Sequence, residues 1–259
     1  MTTTPTHARE ATRTRYLWSA LVLSELRVFI RRPIMMALSL LVPAGLLGIA
    51  ALGGEADDAE AWAAAAGRDS AAVLCITVYF IALSTITSRR HTLALKRLRT
   101  TALPDIAIVT GLLVPPAAVG AFQLAVVQGG MMWIGSTPDA LFFSALLIVT
   151  ANVTGIVLAA LAGVLTSTVT TNPEKAQWTM LPLFVGAMGA AALLPIISDP
   201  MANLGLRTVP LVANADMISA GWAGDAGLMR IGADLGIMVA WLLVLMVVSV
   251  RTFRWERRR

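Results

Sequence analysis

Long runs of uncharged, mainly apolar residues constrain this chain more than any motif does. Six runs carry no Asp, Glu, Lys or Arg: 34–54, 70–88, 106–138, 140–173, 176–198 and 235–250. A helix needs about 20 apolar residues to cross the roughly 30 Å of hydrocarbon in a bilayer. Each run approaches or exceeds that length, so each predicts one crossing. The pattern therefore predicts an all-α, polytopic membrane protein with six transmembrane helices.

The composition agrees with a membrane location. Of the 259 residues, 57% are hydrophobic and 14% are charged, whereas about 25% charged residues is usual in a soluble domain. The net charge of +5 does not indicate nucleic-acid binding, because the cations lie at the edges of apolar runs. The single cysteine, Cys75, lies inside such a run and excludes a disulfide framework. We expect one transmembrane domain over residues 1–259, without a metal site.

The distribution of Lys and Arg predicts the orientation, because these residues accumulate in cytoplasmic loops. If the N terminus is cytoplasmic, six crossings place seventeen of the 20 Lys and Arg residues on the cytoplasmic side. Only Arg68, Arg207 and Arg230 fall outside. We therefore expect a multi-pass protein of the inner (cytoplasmic) membrane with both termini inside. The helix bundle would span residues 34–250, followed by a basic tail at 251–259.

The polar N-terminal region, residues 1–33, combines a tail with an amphipathic helix. One face of that helix is apolar (Trp18, Val22, Leu26 and Phe29), and the opposite face is small or charged (Ala20, Ser24, Arg27 and Arg31). This periodicity predicts a helix lying at the cytoplasmic interface of the membrane. The alternative is a simple cytoplasmic extension of the first span. Pro33 permits the chain to turn into the bilayer.

Two segments predicted to lie outside differ in character. Five acidic residues cluster between the first two predicted spans: Glu55, Asp57, Asp58, Glu60 and Asp69. The segment 198–234 is rich in Gly and Pro but too apolar for a solvated loop. Residues of about 195–230 therefore form either a re-entrant segment that dips into the membrane or a loop that caps the bundle.

Residues that carry chemistry are scarce. The first five predicted spans contain no acidic or basic residue, and Asp234 lies near the start of the sixth, where it is expected to cap the helix. No Gly-rich phosphate loop, His-Glu-x-x-His or Gly-x-Ser-x-Gly pattern occurs. We predict no catalytic, cofactor-binding or metal-binding residue. If ATP drives this protein, another chain binds it.

The most informative polar segment is residues 88–104, SRRHTLALKRLRTTALP. It carries five cations, and Arg89, Lys96 and Arg99 are expected along one helical stripe. Its leucines, Leu93, Leu95 and Leu98, are available to pack against a partner. The segment either docks another protein or is an ordinary positive loop that holds anionic lipid.

Three segments together resemble the membrane subunits of type 2 ABC exporters. They are SELRVFIRRP at 24–33, the basic segment at 88–104, and the fifth apolar run with its extension LPLFVGAMGAAALLPIISDP, continuing to Pro210. The resemblance implies an elbow helix that includes Glu25, Arg27, Arg31, Arg32 and Pro33. It also implies a segment that couples to the ATPase through Arg89, Arg90, Leu95, Lys96, Arg97, Leu98 and Arg99. Pro195, Pro200 and Pro210 would belong to a re-entrant outer segment. Family members often carry a Glu beside the first Arg of the coupling segment, where this chain has Thr87 and Ser88.

The resemblance implies the permease subunit of an ATP-binding cassette exporter that moves a drug, antibiotic, lipid or similar amphipathic substrate out of the cell. ATP and Mg would bind a separate ATPase subunit. A second membrane subunit, identical or homologous, and membrane lipid would be the other partners, and no nucleic acid is expected. The residues alone leave open a secondary transporter or channel without an ATPase, and a membrane scaffold that transports nothing.

Overall fold

Every regular element in the described part of the chain is helical. The computed structural model describes residues 5–31, 33–52, 58–135, 137–138, 141–224 and 227–252. The helices are α1 Pro5–Ile30, α2 Pro33–Leu52, α3 Ala59–Val73, α4 Phe80–His91, α5 Ala94–Leu98, α6 Asp105–Ile134, α7 Leu141–Ser167, α8 Ala176–Thr179, α9 Leu181–Leu193, α10 Pro200–Arg207, α11 Val212–Ala223 and α12 Leu228–Thr252. A π-helical turn, Leu74–Tyr79, joins α3 to α4, and a 3-10 turn, Pro173–Lys175, precedes α8.

Five helical stretches among the described residues are long and apolar enough to cross a membrane. They are Ala59–His91, Asp105–Ile134, Phe142–Ser167, Pro173–Leu193 and Leu228–Thr252. The chain is therefore an all-helical, multi-pass membrane protein, as the uncharged runs predict. The first predicted span, 34–54, corresponds to α2, whose described apolar stretch Ser39–Leu52 is shorter than a span. A total of six spans stays a prediction.

The amphipathic pattern of α1 is confirmed, but the apolar face packs on this protein itself. Val22 and Phe29 are buried, and Arg27 and Arg31 on the opposite face are exposed. The helix packs along α6 and also contacts α2. The indole nitrogen of Trp18 donates to Thr110 Oγ1 at 3.3 Å, which fixes the register of α1 on α6.

The second predicted span begins earlier than its charges suggest. Asp58 caps α3 by accepting a hydrogen bond from the backbone N–H of Glu60 at 2.9 Å, so the helix starts at Ala59 rather than near residue 70. Glu60 lies in its first turn, and Asp69 is buried within it. The prediction that these two carboxylates belong to an outer loop is wrong. Glu55 and Asp57 lie outside the described residues.

The segment after α9 forms a pair of short helices instead of a plain loop. Pro195 is exposed in the turn after α9, and Pro200 begins α10, which Asp199 caps through the N–H of Ala202 at 2.7 Å. Pro210 lies in the turn before α11, where Leu211 adopts a left-handed backbone with φ of 72°. Whether this pair enters the membrane stays a prediction.

Helix α11 is the innermost element of this segment. Its residues from Val212 to Ile218 are all buried, and it packs against α3, α7, α9 and α12. The contact with α3 depends on Gly67, because a Cβ there would lie 2.4 Å from the carbonyl oxygen of Ala215. Gly224 ends the helix with a φ of 73°, a conformation that favours glycine. The α11 part of the segment is therefore buried, whereas no residue of α10 is.

Candidate functional site

Charged side chains gather at both ends of the bundle, and the end that holds the basic segment was the predicted site. Here α1 is joined to the end of α4 by an ion pair: Nη2 of Arg89 lies 2.7 Å from each carboxylate oxygen of Glu25. Glu25 is only 9% exposed. Two residues predicted in separate segments, 64 positions apart, thus form one contact. The two residues, together with Phe29, Thr85 and Pro115, line a small cavity of about 40 Å³.

Arg90, the neighbour of Arg89, points into the protein. Its guanidinium donates to the backbone carbonyl oxygens of Ser167 and Thr170, and the side chain is buried. These carbonyls follow the end of α7, where intrahelical donors run out. Arg90 therefore holds the end of α7 against α4 and presents no charge to a partner.

The basic segment is not one helix, so the predicted stripe of Arg89, Lys96 and Arg99 is wrong. Helix α4 ends at His91, Leu93 has a left-handed backbone with φ of 58°, and the short helix α5 follows. The turn changes the direction of the chain between Arg89 and Lys96, which separates the cations onto two elements.

Of the three leucines expected to pack against a partner, Leu95 and Leu98 pack within the chain, whereas Leu93 is exposed. Leu95 is 0% exposed and lies in an apolar cluster with Leu21, Ile86, Ile108, Leu112 and Val164. Leu98 is half-buried against the same cluster. The expectation that Leu95 inserts into a partner is therefore wrong, because it already anchors α5 to α1, α4 and α6.

The cations of the basic segment that follow His91, unlike Arg90, are exposed. Lys96 and Arg97 are exposed on α5, while Arg99 forms an ion pair with Asp105 at 3.0 Å. On α1, Arg27 and Arg31 are exposed as well. Pro33 begins α2 and is exposed. Arg32 lies outside the described residues, as do residues 253–259 of the basic tail.

The opposite end of the bundle holds an ion-pair cluster that the sequence pattern did not predict. Asp216 on α11 accepts hydrogen bonds from Arg230 Nε at 3.0 Å and Nη2 at 2.6 Å. Arg207 Nε lies 3.1 Å from the same carboxylate, and its Nη1 lies 3.5 Å from Asp234. Asp234 is 0% exposed, and within the described residues its oxygens accept no hydrogen bond. Three helices, α10, α11 and α12, meet in this cluster.

Asp234 does not cap a helix, contrary to the prediction. Helix α12 begins at Leu228, so Asp234 lies almost two turns inside it. The uncharged run begins only at Leu235, but the helix extends past this charge towards the N terminus. The buried carboxylate faces Arg207 instead of free backbone N–H groups.

The three basic residues that broke the charge asymmetry all have acidic partners. Arg68 pairs with Asp69 at 3.0 Å, and Arg207 and Arg230 both pair with Asp216. A charge that is neutralised by a close partner is less costly to keep near apolar surroundings. One sequence feature could have indicated this cluster. Isolated Arg and Asp residues lie near one another in otherwise apolar sequence at 68–69, 207–216 and 230–234.

Polar side chains also cross the middle of the bundle, next to the π-helical turn. Thr77 donates to Gln123 Oε1 at 2.5 Å, and Gln123 donates to the backbone oxygen of Ser39 at 3.0 Å. These residues border an almost wholly apolar cavity of about 180 Å³ between α2, α4 and α6, and Met180 also lines it. π-helical turns are frequent at functional sites, so this cavity is a candidate binding space for an apolar group.

Comparison with models of known protein families gave no match, and comparison with curated proteins gave none either.

Proposed function

We propose that this chain is the membrane-spanning subunit of an ATP-driven exporter whose ATPase is a separate polypeptide. The observation that carries the proposal is that α5 is held firmly against the helices around it. Leu95 fastens this short helix to the core that α1, α4 and α6 share, while Lys96 and Arg97 remain exposed. A firmly anchored cationic helix suits a contact that must transmit force from an ATPase to the spans.

The Glu25–Arg89 pair supports the same proposal. Because it joins α1 to α4 beside α5, a push on α5 would reach two long helices together. The resemblance to type 2 ABC exporters gives these parts the roles of elbow helix and coupling segment. It also supplies the rest of the proposed assembly: a second membrane subunit, identical or homologous, in the inner membrane. The substrate would be a drug, antibiotic, lipid or similar amphipathic molecule.

The proposal is tested by recovery of an ATPase with the tagged chain from its native membrane. Charge reversal of the exposed pair, Lys96→Glu with Arg97→Glu, should abolish that recovery, because it removes attraction without touching buried Leu95. Arg251→Glu is the matched control, since Arg251 is exposed near the end of α12. If the double variant folds, stays in the membrane and still recovers the ATPase in full, α5 is not the docking element.

A secondary transporter is the second candidate, and the buried carboxylates favour it. Asp69 and Asp234 lie within candidate spans, and ionisable residues there often belong to proton pathways. Their arginine partners favour a structural role instead. Efflux of amphipathic dyes from cells should continue when an uncoupler collapses the proton gradient at constant ATP. Loss of efflux under those conditions would establish the second candidate and remove the first.

A further inference from the structure

A third cavity opens at the end of the bundle opposite to the basic segment. Its volume is about 310 Å³, at the lower end of the range for ligand pockets. Helices α3, α9, α10, α11 and α12 all contribute to its wall. The space exists because small side chains face one another across it: Ala63, Ala64, Ala191, Ala215 and Ala223.

The polar lining of this cavity has two parts of opposite charge. Arg68 and Arg230 expose 35% and 39% of their side chains, whereas their partners Asp69 and Asp216 expose only 5% and 4%. The arginine side chains are therefore more accessible than the carboxylates with which they pair. Glu60, in the first turn of α3, adds an exposed carboxylate to the lining. It lies eight positions before Arg68, which corresponds to about 12 Å along the helix.

From this arrangement we propose that the cavity binds a zwitterionic head group, with its oxyanion at Arg68 and Arg230 and its ammonium group at Glu60. Guanidinium groups bind phosphate and carboxylate in a planar, bidentate way. Here both are already held by aspartates, so binding needs little further ordering of side chains. A zwitterion also leaves the charge balance of the ion-pair cluster unchanged, which a free anion or cation would not do.

The rim of the cavity favours an amphiphile. Leu194 and Pro195 belong to the lining, and the neighbouring Leu193, Ile196 and Met201 are exposed. These side chains could cover an acyl chain while the head group occupies the cavity. The same zwitterionic chemistry is found in free amino acids and in ethanolamine phospholipids, so the experiment must separate these sources. The inference does not depend on the exporter proposal, because it concerns binding and needs no ATPase.

The test measures binding of short-chain phosphatidylethanolamine to the purified full-length chain in detergent, by native mass spectrometry and by thermal stabilisation. Short-chain phosphatidylglycerol provides the anion without the ammonium group, and phosphoethanolamine and glycine provide the head group without acyl chains. We expect the ethanolamine lipid to bind at least about tenfold more tightly than the glycerol lipid, as one charged contact predicts. Competition by the free compounds at similar concentrations would identify a soluble zwitterion as the ligand. Competition only at far higher concentrations would identify the lipid. Both results support the zwitterion site.

Two variants keep every ion pair intact, so they separate binding from folding. Glu60→Gln should remove the preference for ethanolamine over glycerol lipid, and Ala64→Leu should weaken both by filling the cavity. Glu174→Gln removes a carboxylate near the opposite end and is the control. If both variants fold with wild-type thermal stability and bind the two lipids as the wild type does, the proposal is overturned. Equal binding of the two lipids by the wild-type protein overturns it as well.

Discussion

Arg89 reaches back across the fold to Glu25, with Nη2 placed 2.7 Å from both carboxylate oxygens. The two side chains are 29% and 10% exposed, so water screens this pair only partly. The pair ties the first helix to the end of α4, directly beside the turn that leads into α5. This one contact therefore links the position of α1 to the position of α4 and of the turn that follows it.

Arg89→Gln should lower the free energy of unfolding by about 1–3 kcal/mol, because it leaves the buried carboxylate of Glu25 without its charged donor. SDS-induced unfolding in mixed micelles, followed by tryptophan fluorescence, provides the measurement. Arg97→Gln is the control and should change the value by less than about 0.5 kcal/mol. The double variant with Glu25→Gln should cost less than the two single changes together. Additive costs would mean that the pair contributes nothing.

Leu95→Ala should destabilise the protein by about 2–5 kcal/mol, because a fully buried leucine leaves a cavity when truncated. Leu93→Ala, two residues away but 49% exposed, is the matched control and should be nearly neutral. Unfolding of both variants in micelles would compare them directly. A small loss of stability in Leu95→Ala together with loss of a binding partner would instead show that this leucine contacts the partner.

The two aspartates that share Arg207 should respond differently to neutralisation. Asp216→Asn removes the acceptor of two arginines and should cost about 3 kcal/mol or more. Asp234→Asn changes a buried carboxyl group whose one ion-pair contact among the described residues is 3.5 Å long, so stability should stay within about 1 kcal/mol or rise. Thermal unfolding of the purified variants is sufficient to rank them. The reverse order would show that Asp234 is the residue that holds the cluster together.

Gly67→Ala should destabilise the contact between α3 and α11 by about 1–3 kcal/mol. The added Cβ would lie 2.2 Å from Ser219 Oγ and 2.4 Å from a backbone oxygen that is fixed within α11. Gly189→Ala serves as the control, because open space surrounds its Cβ position. Proteolysis of membrane preparations would report on the loosened helix. Equal protease resistance of the two variants would contradict the close approach.

The orientation of the bundle is tested by cysteine labelling in intact cells. A cysteine at Ala59 should react with an impermeant maleimide, and one at Thr92 should react only after permeabilisation. Both positions are exposed at opposite ends of the helix from Ala59 to His91. The native Cys75 is fully buried and should stay unlabelled. The opposite labelling pattern would invert the proposed topology.

The hydropathy pattern was sufficient to predict the helical class and most of the spans. Each long membrane helix needs a long run of apolar residues, and such a run can be read directly from the sequence. It misplaced the start of α3, since a charged pair such as Arg68 and Asp69 looks like a loop when its mutual neutralisation is ignored. Asp234 was misjudged for the same reason. An ion pair between distant segments leaves no periodic signal in the sequence.

The basic segment shows a second limit of prediction from sequence. Its composition predicted a cationic element correctly, but the left-handed Leu93 that divides it is a conformation that leucine rarely adopts. The burial of Leu95 depends on Leu21 and Ile108, which belong to other helices. The direction in which a five-residue helix faces is decided by such tertiary contacts rather than by its own pattern.

The residues from Ala59 through the π-helical turn to His91 form one long continuous helix that would tilt as a unit. Its 33 residues extend for about 50 Å, so a tilt of about 5° around one end moves the other by about 4 Å. Arg68 lies near one end and Arg89 near the other. A displacement large enough to break the contact of Arg89 with Glu25 thus needs only a small angular change around the Ala59 end, whereas Arg68, nine residues from that end, would move by only about 1 Å.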